Sequence, residues 1–401
     1  GNCNTAVGAC AMNTNTSGCC NTAIGKDALL ANQTGHSNTA VGAASLDSNT
    51  TGTVNQAFGR RSLCSNTTAS CNSAFGYFSL AANTTGCCNT AIGNSSLSTN
   101  TTGCCNVALG LSALNNNVSG NCNVAVGNLA LSNQTAGNAT AVGTAALRLN
   151  TSGTNNVAVG YLALCCNTSG ANNVAIGGNT LMRNATTTRN VAVGQSALSC
   201  NVGSCNTGLG HSALTANSSG DLNVAIGACA LDANTTADNN TAVGTLSLSA
   251  NTTAANNTAV GQNSLCANTT GASNVAVGKD SLKANTTADN NTSVGKEALT
   301  ANTTGTQNTA LGFKAMLFGT TGDFNTALGA CTLGSSDVNT GDNNVAIGRK
   351  SMFDNTSGAS NVGVGISSLE NNTTAAGNTA VGASALCKNT TAANNTAIGR
   401  N

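Results

Sequence analysis

Two residue types in this chain could carry covalent chemistry, and few others could. The sequence contains 19 cysteines, and many asparagines open the N-x-S/T triplet that accepts N-linked glycans. General acid–base groups are sparse, because only His36, His211, Glu297, Glu370 and eleven scattered aspartates are present. A catalytic site needs ionisable groups that converge. We therefore expect no enzyme activity, no catalytic residues and no cofactor.

The triplets recur in one phase, within N-T-T-G segments. Asn, Thr and Gly are also good turn formers, so the segments are open to two interpretations: turn chemistry alone, or a row of N-linked glycans along one edge. The glycosylation hypothesis concerns Asn15, Asn32, Asn49, Asn66, Asn83, Asn100, Asn117, Asn133, Asn150, Asn167, Asn184, Asn217, Asn234, Asn251, Asn268, Asn285, Asn302, Asn355, Asn372 and Asn389.

The cysteines are also spaced regularly, which favours an oxidising compartment and disulfides. Equivalent positions in stacked coils are about 4.8 Å apart, within the range that a disulfide accepts. No C-x-x-C pair occurs and the two histidines lie in different phases, so we expect no zinc or other metal site. The predicted bridges join Cys3 to Cys20, Cys71 to Cys88, Cys87 to Cys104, Cys105 to Cys122, and, across one loop, Cys200 to Cys205.

These residues are positioned by a short repeat. A glycine after an aliphatic residue recurs 24 times from Gly8 to Gly399, at a spacing of 17 residues apart from two steps of 16 and one of 19. Self-similarity at a fixed short period is typical of a solenoid. The sequence therefore predicts an all-β fold, a parallel β-solenoid or β-roll of about 24 stacked 17-residue coils. We expect one elongated repeat domain over 1–401, with irregular coils near 194–210 and 312–348.

Numbered from its asparagine, the repeat reads N-T-A-V-G-x-x-A-L-x-x-N-T-T-G-x-x. Its density of Asn, Thr and Gly opposes a helix and favours two short strands, at positions 2–4 and 8–10. Side chains alternate along a strand, so positions 2 and 4, such as Thr22 and Ile24, are expected to face inward. Leu at position 9 would meet them from the opposite wall. Ala23 and Gly25 would then leave a bare outer face suited to lateral association.

Composition excludes several partners. Only 7% of residues are charged, the net charge is +1, and no apolar run approaches the roughly 18 residues that span a bilayer. We therefore expect neither a nucleic-acid partner held by charge nor a membrane span. Two aromatic groups interrupt the pattern and indicate either local core repacking or a contact patch: Phe58, Phe75, Tyr77 and Phe78; and Phe313, Phe318, Phe324 and Phe353.

Copies such as Asn89-Thr90-Ala91-Ile92-Gly93, with Ser96-Leu97 and Asn100-Thr101-Thr102-Gly103, resemble the head repeats of trimeric autotransporter adhesins. They also resemble 17-residue repeats of phage and bacterial tail-fibre-like proteins. The resemblance implies an extracellular attachment fibre at a cell or virion surface, self-associating as a trimer; 19 cysteines depart from it. Exposed strand edges at both ends indicate either a section of a longer repeat array or copies that stack end to end into a filament. We therefore expect a structural, glycan-bearing fibre subunit. The alternative is a β-solenoid module that binds glycans or ice through rows of Thr.

Overall fold

The computed structural model describes residues 1–334 and 337–401. It confirms the predicted all-β, parallel β-solenoid, with one three-residue strand in each 17-residue coil. Contacts divide the chain into two compact units, 1–202 and 203–401. Ser335 and Ser336, within the predicted irregular coils at 312–348, lie outside the described residues.

The first unit contains strands β1–β12. Each strand pairs in parallel with the next, and equivalent repeat positions face each other, as with Thr5 and Thr22. The strands are Thr5–Val7, Thr22–Ile24, Thr39–Val41, Gln56–Phe58, Ser73–Phe75, Thr90–Ile92, Val107–Leu109, Val124–Val126, Thr140–Val142, Val157–Val159, Val174–Ile176 and Val191–Val193.

The second unit contains β13–β24, paired in the same parallel register. Its strands are Thr207–Leu209, Val224–Ile226, Thr241–Val243, Thr258–Val260, Val275–Val277, Thr292–Val294, Thr309–Leu311, Thr326–Leu328, Val345–Ile347, Val362–Val364, Thr379–Val381 and Thr396–Ile398. No helix of the described residues is long and apolar enough to cross a bilayer.

The predicted second strand at positions 8–10 is wrong, because this wall is a tight turn. In the second coil the turn follows Gly25, whose φ is +132°, and both Asp27 and Leu29 have positive φ. Its backbone still bonds between coils: the Leu29 N–H donates to the Ser45 carbonyl at 3.0 Å, and the Asp27 N–H to the Ala9 carbonyl at 2.9 Å. Backbone hydrogen bonds between neighbouring coils, rather than a second sheet, therefore hold this wall together.

The predicted inward face of the strand is also wrong, although positions 2 and 4 do share a face. The middle residue is buried in every strand from β2 to β23, and the flanking residues never are. Ala23 is 0% exposed, whereas Ile24 is 41% exposed. Leu29 at position 9 is fully buried, as expected. The leucine fills the coil from one wall, so only a small residue fits on the other.

The coil around Met352 shows how narrow this interior is. Met replaces the usual leucine there, and Gly363 replaces the usual alanine of the next strand. A Cβ added to Gly363 would lie 3.1 Å from the Met352 Cε and 2.7 Å from the Ser351 Oγ. A methyl group at this point of the strand would thus crowd both side chains of the opposite wall, which shows how little spare volume the coil encloses.

Candidate functional site

The outer strand face, formed by positions 2 and 4 of every coil, runs across all twelve strands of each unit. Position 4 carries Val, Ile, Leu or Phe in all 24 strands, and none of these residues is buried. Position 2 is Thr or Val except at Gln56 and Ser73, so the face carries no charge. A repeating, uncharged aliphatic surface is unusual for a soluble monomer and is typical of an interaction site.

Beside this face, the opening asparagines form a buried ladder. The backbone N–H of Asn38 donates to the Asn21 Oδ1 at 2.9 Å, and the Asn38 Nδ2 donates to the Gly52 carbonyl at 2.8 Å. Each asparagine thus satisfies backbone groups of two neighbouring coils. The ladder holds the strands in register.

A second ladder consists of the asparagines proposed as glycosylation sites. The Asn32 Nδ2 donates to the Asn15 Oδ1 at 2.9 Å and to the Gly35 carbonyl at 3.0 Å, and the Asn49 Nδ2 donates to the Asn32 Oδ1 at 2.8 Å. An N-linked glycan is attached at Nδ2, the atom that this ladder uses. A bulky sugar there cannot coexist with the coil.

Burial of the predicted glycosylation sites is nearly complete. Asn15, Asn133 and Asn389 are half-buried, and the remaining seventeen asparagines of the set are at most 1% exposed. The fold is therefore incompatible with glycans at those seventeen: Asn32, Asn49, Asn66, Asn83, Asn100, Asn117, Asn150, Asn167, Asn184, Asn217, Asn234, Asn251, Asn268, Asn285, Asn302, Asn355 and Asn372. Turn and ladder chemistry accounts for these triplets instead.

In most coils a threonine follows the ladder asparagine, and its hydroxyl is also bonded between coils. The Thr84 Oγ1 donates to the Thr101 carbonyl at 3.0 Å, and the Thr269 Oγ1 donates to the Thr286 carbonyl at 3.0 Å. The N-T pair thus serves coil stacking twice, once through an internal amide and once through a hydroxyl nearer the surface.

One repeat of 16 residues keeps the ladder by substitution. Because the coil after Gly127 lacks a residue, Gln134 occupies the buried position and Asn133 moves outward. The Asn150 Nδ2 donates to the Gln134 Oε1, but the Gln134 Nε2 and the Asn117 Oδ1 have no hydrogen-bond partner. Gln134 is thus hydrogen-bonded to the ladder asparagine of the following coil but not to that of the preceding coil.

All 19 cysteines are free thiols, and the predicted bridges remain predictions. The Cys87 and Cys104 Sγ atoms are 3.1 Å apart, and the Cys87 N–H donates to the Cys104 Sγ at 3.0 Å. The hydrogen bond to Cys104, burial and the neighbouring thiols raise the pKa of Cys87 to about 12. The short distance between the two Sγ atoms is compatible with the predicted bridge between Cys87 and Cys104.

The other candidate thiols lie mostly at the surface. Cys3, Cys20, Cys71, Cys88, Cys105 and Cys122 are exposed. A hydrogen bond to Cys19, with weaker effects from burial and Cys3, raises the pKa of Cys20. Desolvation, with repulsion from thiolates at Cys88 and Cys122, raises the pKa of Cys105. Cys200 lies in the first unit and Cys205 in the second, both half-buried.

The aspartates at position 16 have a role that the sequence analysis missed. The Asp238 Oδ1 accepts the Asp221 N–H at 2.7 Å, and the Asp323 Oδ1 accepts the Thr306 N–H at 2.6 Å. In the first unit Asn121 does the same for the Cys104 N–H at 2.6 Å. These carboxylates cap backbone groups of the preceding coil. Among the described residues, no group of three His, Cys, Asp or Glu could hold a metal ion.

The two predicted aromatic groups differ in surroundings. The rings of Phe58 and Phe75 stack on the outer strand face with their centroids 4.8 Å apart. Beside them lies an arginine–aromatic cluster formed by Arg60, Arg61, Tyr77 and Phe78. Phe313 lies within 6 Å of Lys296 and Lys314, and both lysines pair with Glu297 at 3.2 and 3.5 Å. Of the remaining members of the second group, Phe318 and Phe324 are exposed, and Phe353 lies 5.2 Å from the Lys350 Nζ.

No protein-family model and no curated protein matches this chain. The geometry of the chain itself therefore has to support any functional conclusion.

Proposed function

We propose that this chain is a structural fibre subunit that associates with further copies of itself through the outer strand face. The observation that carries the proposal is the row of aliphatic residues, with Phe at two strands, that occupies position 4 of every coil and is buried in none. Nothing in the coil requires an aliphatic residue there, because position 3 and the leucine form the core. A second copy is the fitting partner, since it presents an uncharged face with the same coil spacing.

The face is large enough for such an interface. Each unit has twelve strands, and with strands about 4.8 Å apart and about 10 Å long, its face covers roughly 550–600 Å². Two such faces would bury close to the roughly 1,200 Å² at which specific, stable interfaces begin.

The proposal includes display outside the cell or on a virion, which the cysteine content and the resemblance to attachment fibres support. It includes no glycans on the buried ladder asparagines. It also includes no catalytic activity, because the few acidic and histidine side chains are scattered along the sequence.

Sedimentation velocity on a matched pair of variants tests the interface. Leu109→Lys with Val142→Lys places two charges on the outer strand face, where the residues are 42% and 36% exposed. Leu111→Lys with Tyr161→Lys places two charges on exposed positions off the face. We expect the wild type and the second variant to be oligomeric and the first to dissociate, with unchanged circular dichroism. A wild type that is monomeric at micromolar concentration overturns the proposal.

A second candidate function is ice binding, which the outward Thr at position 2 favours. The sequence analysis placed this residue inside; the structure instead aligns Thr292, Thr309 and Thr326 on adjacent strands of one exposed face. Hydroxyls and methyls then repeat at coil spacing beside the aliphatic row. Thermal hysteresis that is abolished by Thr309→Lys would favour ice binding over self-association, and its absence would exclude ice binding.

A further inference from the structure

An arginine–aromatic cluster lies on two adjacent coils of the first unit, at positions 6 and 7. Arg60 and Tyr77 occupy position 6 of successive coils, with the Arg60 Cζ 5.8 Å from the tyrosine ring centroid. Arg61 and Phe78 occupy position 7, at 5.4 Å. The two rings pack edge to face at 4.4 Å. Ring contacts of this kind hold each guanidinium in place and leave its N–H donors free.

The two guanidinium groups are not neutralised in the described structure. No carboxylate oxygen of the described residues lies within 4.0 Å of either group. Asp47 is near enough for Arg61 to stabilise its carboxylate, but burial dominates and raises the pKa of Asp47. At the same repeat positions in the second unit, Lys296 and Lys314 pair with Glu297.

A shallow groove opens beside the cluster. Its volume is about 380 Å³, which is at the lower end of the range for small-molecule sites. Its walls combine a guanidinium, an aromatic ring and hydroxyl groups, contributed chiefly by Arg61, Phe78, Ser65, Ser95 and Ser98. A planar fork of donors matches a carboxylate, sulfate or phosphate. Hydroxyl and ring surfaces match the body of a sugar.

We propose that Arg60, Arg61 and Tyr77, with the adjoining groove, bind an anionic polysaccharide through its sulfate or carboxylate groups. Two forks on adjacent positions can each engage one oxyanion, and the aromatic rings pre-orient both. The cluster lies off the outer strand face, so this site is independent of the proposed self-association. If the chain is an attachment fibre, as proposed above, this cluster would be the site through which it binds its ligand.

Binding of dextran sulfate to the full chain tests the site, with uncharged dextran as the negative control and free sulfate as a third probe. Arg60→Gln with Arg61→Gln removes both forks. Arg183→Gln with Arg189→Gln removes the same charge from exposed positions elsewhere in the first unit. Titrations in about 0.15 M salt limit contributions from distant charges. Circular dichroism verifies that each variant folds.

We expect the first double variant to bind dextran sulfate at least tenfold more weakly and the second to bind within twofold of wild type. Arg61→Lys, which keeps the charge but loses the fork, should also weaken binding. No binding by the wild type, or equal losses in the two double variants, would overturn the site. If free sulfate binds as tightly per site as the polymer, the polysaccharide assignment is wrong. Sedimentation velocity on the same variants should show an unchanged oligomeric state, so that a loss of dextran sulfate binding is not mistaken for a loss of self-association.

Discussion

The asparagine ladder makes the sharpest energetic prediction, at Asn285. Its side chain is fully buried: Nδ2 donates to the Asn268 Oδ1 at 2.8 Å and to the Ala288 carbonyl at 3.0 Å, and Oδ1 accepts from the Asn302 Nδ2 at 3.0 Å. Asn285→Ala removes these bonds and leaves the Asn268 Oδ1 buried without a donor. The stranded Asn268 acceptor costs about 1–3 kcal/mol, and each of the other two lost hydrogen bonds costs about 1 kcal/mol. We therefore expect a loss of about 3–5 kcal/mol in the free energy of unfolding.

Asn285→Asp preserves shape and changes only the chemistry. A carboxylate oxygen replaces the donor, so it faces the Asn268 Oδ1 and the Ala288 carbonyl with no hydrogen to share. Burial and these acceptors raise the folded-state pKa of the new carboxyl above its unfolded value of about 3.9. The protonated acid is tolerated better, so the destabilisation is smallest below about pH 4. It grows by about 1.4 kcal/mol per pH unit until the folded-state pKa is reached.

Urea unfolding followed by circular dichroism between pH 4 and 8 measures this dependence. Hydrogen exchange of peptides from the flanking coils shows whether the opening is local, as expected for a repeat protein. Asn290→Asp, five residues away at an exposed position, is the matched control and should change stability little at any pH. If Asn285→Asp is as stable as wild type at pH 8, the ladder does not hold the coils together.

Two further predictions concern the backbone turn and the thiols. Gly25→Ala should destabilise the chain by about 2–5 kcal/mol, because φ is +132° and the new Cβ would lie 2.6 Å from the Gly42 carbonyl oxygen. The control is Gly178→Ala, whose Cβ meets no atom within 4 Å and which should leave the free energy of unfolding unchanged in the same urea titration. The hydrogen bond to Cys104 raises the pKa of Cys87 to about 12, so the rate at which iodoacetamide alkylates Cys87 should still rise about tenfold per pH unit above pH 9. Peptide mass spectrometry measures this rate, and a rate that levels off near pH 9 would contradict the prediction.

The period of the sequence was sufficient to predict the architecture. Seventeen residues dense in Asn, Thr and Gly exclude a helix, and one coil is too small to be stable alone. Parallel stacking in register follows, and the strand pairing confirms it. The burial of the leucine at position 9 was also predictable, because an apolar residue of nearly constant size at one position of a repeat is typical of the core.

The predicted orientation of the strand was wrong, because the alternation of side chains says only that positions 2 and 4 share a face and not which face that is. Placing the larger residues inside was the natural choice and was wrong. A signal was present in the variation of residue size. Position 3 is Ala, Ser or Gly in every strand, as with Ser293 among alanines, whereas position 4 ranges from Val7 to Phe58. A narrow interior tolerates one size only, and a surface tolerates many.

The same geometry limits which asparagines of the folded chain can carry a glycan. N-glycosylation machinery acts on extended polypeptide, in which every N-x-S/T triplet of the chain is accessible. Seventeen of the ladder asparagines are buried in the folded coils, and a sugar on any of them would break two hydrogen bonds of Nδ2 and force a large polar group into a space closed by the next coil. Glycosylation of such a triplet before folding would therefore prevent the coils on either side of it from stacking.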